Sequence, residues 1–163
     1  MSNNKHTDIL VIGSGPGGYA AAFRAADLGR EVTLVDKDPT LGGVCLNRGC
    51  IPSKTLLHIA KVLEEAESLK KMGVTFTKPT IDLDLVRDWK NKVVSQLSGG
   101  IGQMAKARKV NTVQAEAAFL SDNEVQLKSE SSTEIITFDY CVVASGSSSS
   151  IIPGIPFDNE NVL

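Results

Sequence analysis

The sequence lacks the features that mark membrane proteins and nucleic-acid-binding proteins. No apolar run reaches the length of a bilayer, and the formal net charge is only −2, so we expect neither a membrane nor a nucleic acid as a partner. The first seven residues are polar and contain neither an apolar signal region nor an Arg-rich presequence, which makes the cytoplasm the default location. No metal site is predicted.

Cysteine is also scarce, with three in 163 residues, while the hydrophobic content of 42% is ordinary for a soluble protein. The length suits one domain with a proper core. In a reducing cytoplasm, a cysteine pair points to catalysis rather than to a structural disulfide. Cys141 stands in the apolar run 141–144 and is expected to be a buried core residue.

Cys45 and Cys50 lie five positions apart in the stretch LGGVCLNRGCIPSKTLL, residues 41–57. In a regular helix their side chains would point roughly 140° apart with Cα atoms beyond about 7 Å, too far for a disulfide. If the two cysteines pair, the chain between them must be distorted, which Asn47 and Gly49 tolerate. Pro52 favours the first turn of a helix, so we expect a loop that carries Cys45 and a helix that begins near Cys50.

A helix N-terminus stabilises a thiolate, and Lys54 adds a cation one turn after Cys50. The two cysteines therefore look suited to cycle between disulfide and dithiol, with Cys50 the better stabilised thiolate. The spacing alone also allows two cysteines with no joint role.

A second motif lies near the N-terminus. Residues 8–12, DILVI, predict a buried parallel strand, residues 19–28 a helix, and residues 31–35 a second strand. Between the first strand and the helix stands GSGPGG, which matches the dinucleotide fingerprint G-x-G-x-x-G in its required context.

The glycines have different roles in that fingerprint. Gly13 makes the tight turn, Gly15 lets the backbone approach a pyrophosphate, and Gly18 lets helix and strand pack closely. Asp36 ends the second strand, where an acid binds ribose hydroxyls. The alternative is a Gly-rich turn that binds nothing, and the fingerprint alone does not separate FAD from NAD.

The rest of the chain predicts two long helices followed by short strands. The helical patterns cover residues 50–72 and 81–109, with a bend possible at Gly99-Gly100, and His58 is an ordinary helical histidine. Residues 111–119, 124–128 and 134–138 predict a small antiparallel meander laid on the parallel sheet, and residues 140–144 predict a last parallel strand.

The string GGVCLNRGCIPSK resembles the redox-disulfide motif of the pyridine nucleotide-disulfide oxidoreductase family, and the resemblance runs from about Asp8 to the C-terminus. It implies an α/β fold, a Rossmann-like FAD-binding domain with a central parallel sheet, a long helical excursion and a small antiparallel β meander. It also implies that Cys45, Cys50 and Lys54 are catalytic, with Cys45 the more exposed cysteine and Lys54 near the flavin.

The resemblance assigns the N-terminal fingerprint to FAD. The FAD-binding residues implied are Gly13, Gly15, Gly18, Asp36, Lys37, Gly42, Gly43, Val44, Cys45, Lys54, Ala117, Ser145 and Gly146. The chain departs from the family at the acid, which is usually glutamate, and at residues 115–119, which read AEAAF where G-x-G-x-F is common. Asp36 is one methylene shorter, and the extra methyl groups tighten the expected adenine contact at Ala117.

Family members are about three times longer, so the resemblance divides this chain into a polar tail (1–7), the FAD-binding domain (8–150) and the start of a linker to an NAD-binding domain (151–163). The implied remainder carries the NAD site, the His–Glu acid-base pair and most of a homodimer interface. We therefore expect no turnover from this chain alone, and a non-catalytic fragment is an alternative.

Within the family, C-L-N-x-G-C-I-P-S-K is most similar to the branch that oxidises dihydrolipoamide on the lipoyl domain of a 2-oxoacid dehydrogenase complex. In that branch, electrons pass through the disulfide and FAD to NAD. Glutathione and mercuric reductases usually read C-V-N-V-G-C, so Leu46 and Arg48 argue against them, although a reductase of that type remains the alternative.

Overall fold

We describe a computed structural model of the chain over residues 5–148, 150 and 152–156. The helices and strands are, in order, β1 (Lys5–Ile12), α1 (Pro16–Asp27), β2 (Val32–Asp36), α2 (Gly43–Asn47), α3 (Cys50–Ser68), a 3₁₀ turn (Leu69–Met72), α4 (Leu83–Ala107), β3 (Asn111–Gln114), β4 (Glu116–Ser121), β5 (Glu124–Lys128) and β6 (Thr133–Val143). The predicted α/β class is confirmed.

All six strands belong to one sheet in the order β3-β2-β1-β6-β5-β4. The first four are parallel: Ile9 pairs with Val32, and Leu10 pairs with both Thr33 and Cys141. β5 runs antiparallel to β6 and β4 antiparallel to β5. The carboxyl ends of the parallel strands therefore meet at one edge, where α/β proteins bind ligands.

Two strand predictions need correction. The predicted strands 134–138 and 140–144 are one strand, β6, because its two edges pair with different neighbours: Ile136 faces Val125 of β5 on one side and Lys5 of β1 on the other. The predicted strand 111–119 is two strands, because β3 pairs in parallel with β2 up to Gln114, whereas β4 pairs antiparallel with β5 from Glu116 onward.

The sheet is packed on both faces. On one face, Val125 and Leu127 of β5 pack with Leu10 and Val35 of the parallel strands. The meander therefore packs against the parallel strands, as predicted, and its strands also belong to the same sheet. On the other face α1 and α4 cover β1 and β2 through Phe23 and other buried residues, which are Val11, Ala22, Val32, Leu34, Ala105 and Val110. Alanines on α1 allow the close approach of helix to sheet that the glycine turn requires.

The termini and helices differ from the predictions in detail. β1 begins at Lys5 rather than at residue 8, because β6 is long enough to pair with it from Ile136 onward. Residues 1–4 lie outside the described residues, as does most of the predicted linker 151–163, so the domain division stays a prediction. α1 begins at Pro16 rather than at residue 19, since proline fits the first turn of a helix.

The α4 helix also differs from its prediction. It begins after Asp82, whose carboxylate accepts from the amides of Asp84 and Leu85. It continues through Gly99-Gly100 without interruption, because glycine weakens a helix without breaking it, and a bend at that point stays a prediction. None of the helices within the described part of the chain is long and apolar enough to cross a membrane.

The buried strands predict where the fold is most sensitive. Leu10→Ala removes a side chain that is 0% exposed and should lower the free energy of unfolding by about 2–5 kcal/mol, measured by urea denaturation. Leu57→Ala on α3 is the control, because Leu57 is 66% exposed and should lose little. Equal losses in the two variants would contradict this assignment of the core.

Candidate functional site

The predicted site residues meet at the carboxyl edge of the parallel strands. Gly13 follows β1, Asp36 ends β2, and Ser145 and Gly146 follow β6. The Ala144 amide donates to the Ile12 carbonyl at 2.7 Å, which holds the chain after β6 beside the turn after β1. Strands β2 and β6 flank β1 on opposite sides, so this edge is the switch point at which such sheets open a crevice.

Two glycines of the turn are required by contact. Gly13 has φ +100°, and a Cβ there would lie 2.2 Å from the Ala144 carbonyl oxygen. A Cβ on Gly18 would lie 1.7 Å from the Gly13 carbonyl oxygen. Both positions exclude any side chain, so this turn brings α1 against the end of β1 as the fingerprint predicts.

Gly15 differs, because a Cβ on it would meet no protein atom within 4 Å. It is the N-cap of α1, and no side chain caps that helix end. The open space in front of Gly15 therefore faces the positive end of a helix whose first amides are available to an anion. These are the properties that a pyrophosphate site needs.

Asp36 is bound by the glycine turn itself. Its Oδ2 accepts from the Ser14 amide at 2.7 Å and the Ser14 hydroxyl at 2.6 Å, and its Oδ1 accepts from the Asp38 amide at 2.9 Å. Partial burial raises the pKa of Asp36, but these hydrogen bonds and the charge of Lys37 outweigh it, so the pKa lies below its usual value. The carboxylate is ionised at neutral pH, and mainly Oδ1 retains capacity for another donor.

The segment that carries the cysteines packs directly on this turn. The Gly42 amide donates to the Ser14 carbonyl at 3.0 Å. Gly43 has φ +60°, and a Cβ on it would lie 2.6 Å from the Gly15 Cα. The two motifs that the sequence presents separately are therefore in contact, backbone against backbone.

Cys45 and Cys50 lie on two helices separated by a sharp break. Cys45 is on the short helix α2, not on a loop as predicted, and Cys50 begins α3, as predicted. The break falls at Arg48 and Gly49, where Gly49 has φ −125° and ψ −102°. The Asn47 side-chain amide donates to the carbonyls of Leu41 and Gly43, which keeps α2 short and folded on its own turn.

The break brings the two thiols together. A hydrogen bond between the Cys45 and Cys50 side chains raises the pKa of Cys45, and the nearby charge of Lys54 opposes that rise. Both thiols are free, with Cys45 half-buried and Cys50 exposed. The predicted order of exposure is therefore wrong: Gly49 lies against the backbone of Cys45, while Cys50 starts the exposed first turn of α3.

The other predicted site residues are distributed around this contact. Val44 and Lys54 are exposed on α2 and α3, and Lys37 is exposed after β2. Ala117 lies on β4, half-buried and paired with Leu127. Its strand begins next to Ala115, whose amide binds the Asp36 carbonyl, so β4 starts at the ribose end of the predicted site.

Cys141 and a possible metal cluster lie apart from this contact. Cys141 is half-buried against the meander core, and burial raises the pKa of its thiol. Among the described residues, His6, Asp8 and Asp139 form a group with potential ligand atoms within 4.8 Å of one another. His6 stands near the opposite end of β1 from Gly13, about 20 Å along the strand, and already contacts Asp139 and Thr137.

Sequence reasoning missed three residues of the site: Ser14, Asp38 and Arg48. Ser14 is fully buried and occupies the variable position of the first G-x-G. The short acid at position 36 is the signal that could have identified it, because aspartate reaches less far from the strand and needs a donor close by. Arg48 pairs with Asp38, a contact across ten residues of sequence that no local pattern reveals.

Comparison with known proteins agrees with the geometry. A family model described as pyridine nucleotide-disulphide oxidoreductase matches residues 7–163. The chain is 47% identical to a dihydrolipoyl dehydrogenase of Vibrio cholerae over 162 aligned residues. That alignment covers 99% of this chain and 34% of the relative.

Two further relatives carry the same name. A dihydrolipoyl dehydrogenase of Buchnera aphidicola is 47% identical over 162 residues, covering 99% of this chain and 34% of the relative. A dihydrolipoyl dehydrogenase of Bacillus subtilis is 46% identical over 157 residues, covering 96% and 33%. The chain thus spans about a third of the length of these relatives. The family match over nearly the whole chain, together with the cysteine break and the glycine turn, means that the chain belongs to the pyridine nucleotide-disulphide oxidoreductase family.

Proposed function

We propose that this chain is the FAD-binding, disulfide-bearing part of a flavoprotein that oxidises dihydrolipoamide and reduces NAD. The observation that carries the proposal is the contact between the glycine turn and the cysteine segment at Gly15 and Gly43. A dinucleotide on the turn lies next to a thiol pair only if these two elements are adjacent, and they are.

FAD fits the residues present. The uncapped N-terminus of α1 and the open space before Gly15 suit the pyrophosphate. The Oδ1 atom of Asp36 is available to a ribose hydroxyl, because Asp38 uses only part of its accepting capacity. Gly42, Gly43, Val44, Ser145 and Gly146 border the same edge of the sheet and would line the path from the pyrophosphate to the ring.

The dithiol and disulfide forms of Cys45 and Cys50 supply the exchange chemistry. A substrate thiolate attacks the Cys45 sulfur, the Cys45–Cys50 bond breaks, and Cys50 leaves as a thiolate. The second thiol of the substrate then attacks the substrate sulfur of the mixed disulfide. This step closes the substrate's disulfide and releases the Cys45 thiolate. The substrate is oxidised by two electrons and the cysteine pair is reduced by two.

Two features of the chain support these roles. The hydrogen bond with Cys50 keeps the proton on Cys45, because it raises the pKa of that thiol. Cys50 is exposed at the first turn of α3, where a bound ring could cover it, and Lys54 supplies a cation one turn on. When bound, FAD would accept the electron pair from the dithiol for delivery to NAD.

The names of the relatives support the choice of substrate. The 46–47% identity to dihydrolipoyl dehydrogenases favours dihydrolipoamide over glutathione. The partner that we propose to present it is a lipoyl domain of a 2-oxoacid dehydrogenase complex. The NAD site, the acid-base histidine and the homodimer interface are proposed for the whole protein, which we place in the cytoplasm. Turnover is therefore a property of that whole protein.

FAD binding is tested at Gly15. Gly15→Ala adds a methyl group that meets no protein atom but stands where the pyrophosphate would approach, so the fold should persist while FAD affinity drops at least about tenfold. Flavin fluorescence titration measures the affinity, and thermal melting checks the fold. Gly99→Ala, in the open on α4, is the matched control and should bind FAD normally. Failure of the unaltered chain to bind FAD would overturn the proposal for this chain.

The cysteine contact is tested by the pH dependence of alkylation. Cys50→Ala removes the hydrogen bond that raises the pKa of Cys45, so Cys45 should form its thiolate at lower pH than in the unaltered chain. The rate of Cys45 alkylation by iodoacetamide, followed by peptide mass spectrometry from pH 6 to 10, gives the midpoint. Cys141→Ala should leave that midpoint unchanged. An unchanged midpoint in Cys50→Ala would show that the two thiols do not interact.

A further inference from the structure

An ion pair holds the break between the two cysteine-bearing helices. Arg48 lies in that break, between Asn47 at the end of α2 and Cys50 at the start of α3. Its guanidinium donates to the Asp38 carboxylate, with 59% of the Arg48 side chain and 26% of the Asp38 side chain exposed. A short apolar side chain, such as valine, at position 48 could not reach or bind the Asp38 carboxylate.

Asp38 is itself tied to the dinucleotide turn. Its backbone amide donates to Asp36 Oδ1, and Asp36 Oδ2 accepts from the amide and hydroxyl of Ser14. A continuous series of hydrogen bonds therefore runs from the buried glycine turn through Asp36 and Asp38 to Arg48. Since Arg48 is two residues from Cys50, this series ends at the peptide that sets the separation of the thiols.

The opposite side of the break is held by other contacts. The Arg48 amide donates to the Val44 carbonyl at 2.9 Å, and a Cβ on Gly49 would lie 3.1 Å from the same oxygen. This hydrogen bond and this close approach hold the break against α2 and do not involve the loop after β2. Among the described residues, Asn47 at the end of α2 also reaches the loop after β2 through Leu41. The Arg48 side chain makes such a link from within the break itself, so its contact with Asp38 orients the break relative to the dinucleotide turn.

We propose that Arg48 is a positioning residue, which acts through Asp38 to hold Cys45 and Cys50 at the separation that favours their disulfide. The inference rests on the proposed function, because it requires Cys45 and Cys50 to form a reversible disulfide. In these terms, the Arg48–Asp38 pair raises the effective concentration of the Cys45 thiol at the Cys50 thiol, and a higher effective concentration favours the disulfide.

A purely electrostatic role for Arg48 makes a different prediction. A cation near the thiols stabilises thiolates and so favours the reduced pair, and an anion does the opposite. Loss of the Arg48 charge would then favour the disulfide, whereas loss of the Asp38 charge would disfavour it. If the ion pair positions the break, loss of either partner loosens the thiols and disfavours the disulfide.

The experiment equilibrates the 163-residue chain in glutathione buffers at fixed pH. Each disulfide formed consumes one oxidised glutathione and releases two reduced glutathione molecules, and mass spectrometry after acid quenching gives the ratio of disulfide to dithiol. The variants are Arg48→Met, Asp38→Ala and the double variant. Arg87→Met is the matched control, because Arg87 is 65% exposed and pairs with Asp84 on α4, away from the cysteines.

We expect Arg48→Met and Asp38→Ala each to lower the equilibrium constant for the disulfide by about two- to fivefold, as suits an exposed ion pair. The double variant should fall no further than either single variant, since both remove the same contact. Arg87→Met should match the unaltered chain.

Three outcomes would overturn the proposal. A rise in the constant for Arg48→Met would show a charge effect without positioning, and unchanged constants in both single variants would show that the pair is not coupled to the thiols. In either case the proposed function would stand, because the disulfide forms. If the unaltered chain forms no Cys45–Cys50 disulfide, the proposed function fails and the inference fails with it.

Discussion

The close approach of Gly43 to Gly15 is the contact on which the site depends. It joins the dinucleotide turn after β1 to the helix that carries Cys45, and neither partner has a Cβ to hold them apart. The adjacent hydrogen bond from the Gly42 amide to the Ser14 carbonyl fixes the alignment. Because backbone meets backbone, the helix that carries Cys45 lies directly against the turn.

The rest of the fold keeps that contact in place. Four parallel strands bring the segments that follow β1, β2 and β6 to one edge of the sheet. The buried residues on both faces of the sheet hold these strands in place relative to one another. Asp36 then secures the turn by accepting two hydrogen bonds from Ser14, and a third hydrogen bond, from the Asp38 amide, holds Asp36 itself. Because Ser14 occupies Oδ2, mainly Oδ1 of Asp36 is left for a further donor, so the chain combines a shorter acid with a turn that is held by the protein itself.

Sequence reasoning was strongest where one residue type has one physical explanation. Gly13 and Gly18 were predicted from the fingerprint, and both prove to stand where any Cβ would collide with backbone. The start of α3 at Cys50 was predicted from the cysteine spacing and Pro52. The fold class was implied by the family resemblance, and the strand and helix patterns along the chain agree with it.

What escaped the sequence depends on contacts between distant segments. Ser14 and Asp36 are 22 residues apart and Arg48 and Asp38 ten, and no local pattern encodes either pair. The helix α2 is too short for a periodic signal, so Cys45 was assigned to a loop. The continuity of β6 was missed because a strand that pairs with different partners on its two edges has no distinctive alternation.

The most direct test of this account is a single variant, Gly43→Ala, measured for FAD affinity and for the Cys45–Cys50 disulfide equilibrium in the same preparation. Gly43 has φ +60° and no room for a Cβ beside Gly15. Gly73→Ala is the matched control, because Gly73 has φ +86° but open space around it. The account predicts that both quantities fall in Gly43→Ala and neither falls in Gly73→Ala. A Gly43→Ala chain that lost one property and kept the other, or kept both, would contradict the claim that the turn and the thiol pair form one site.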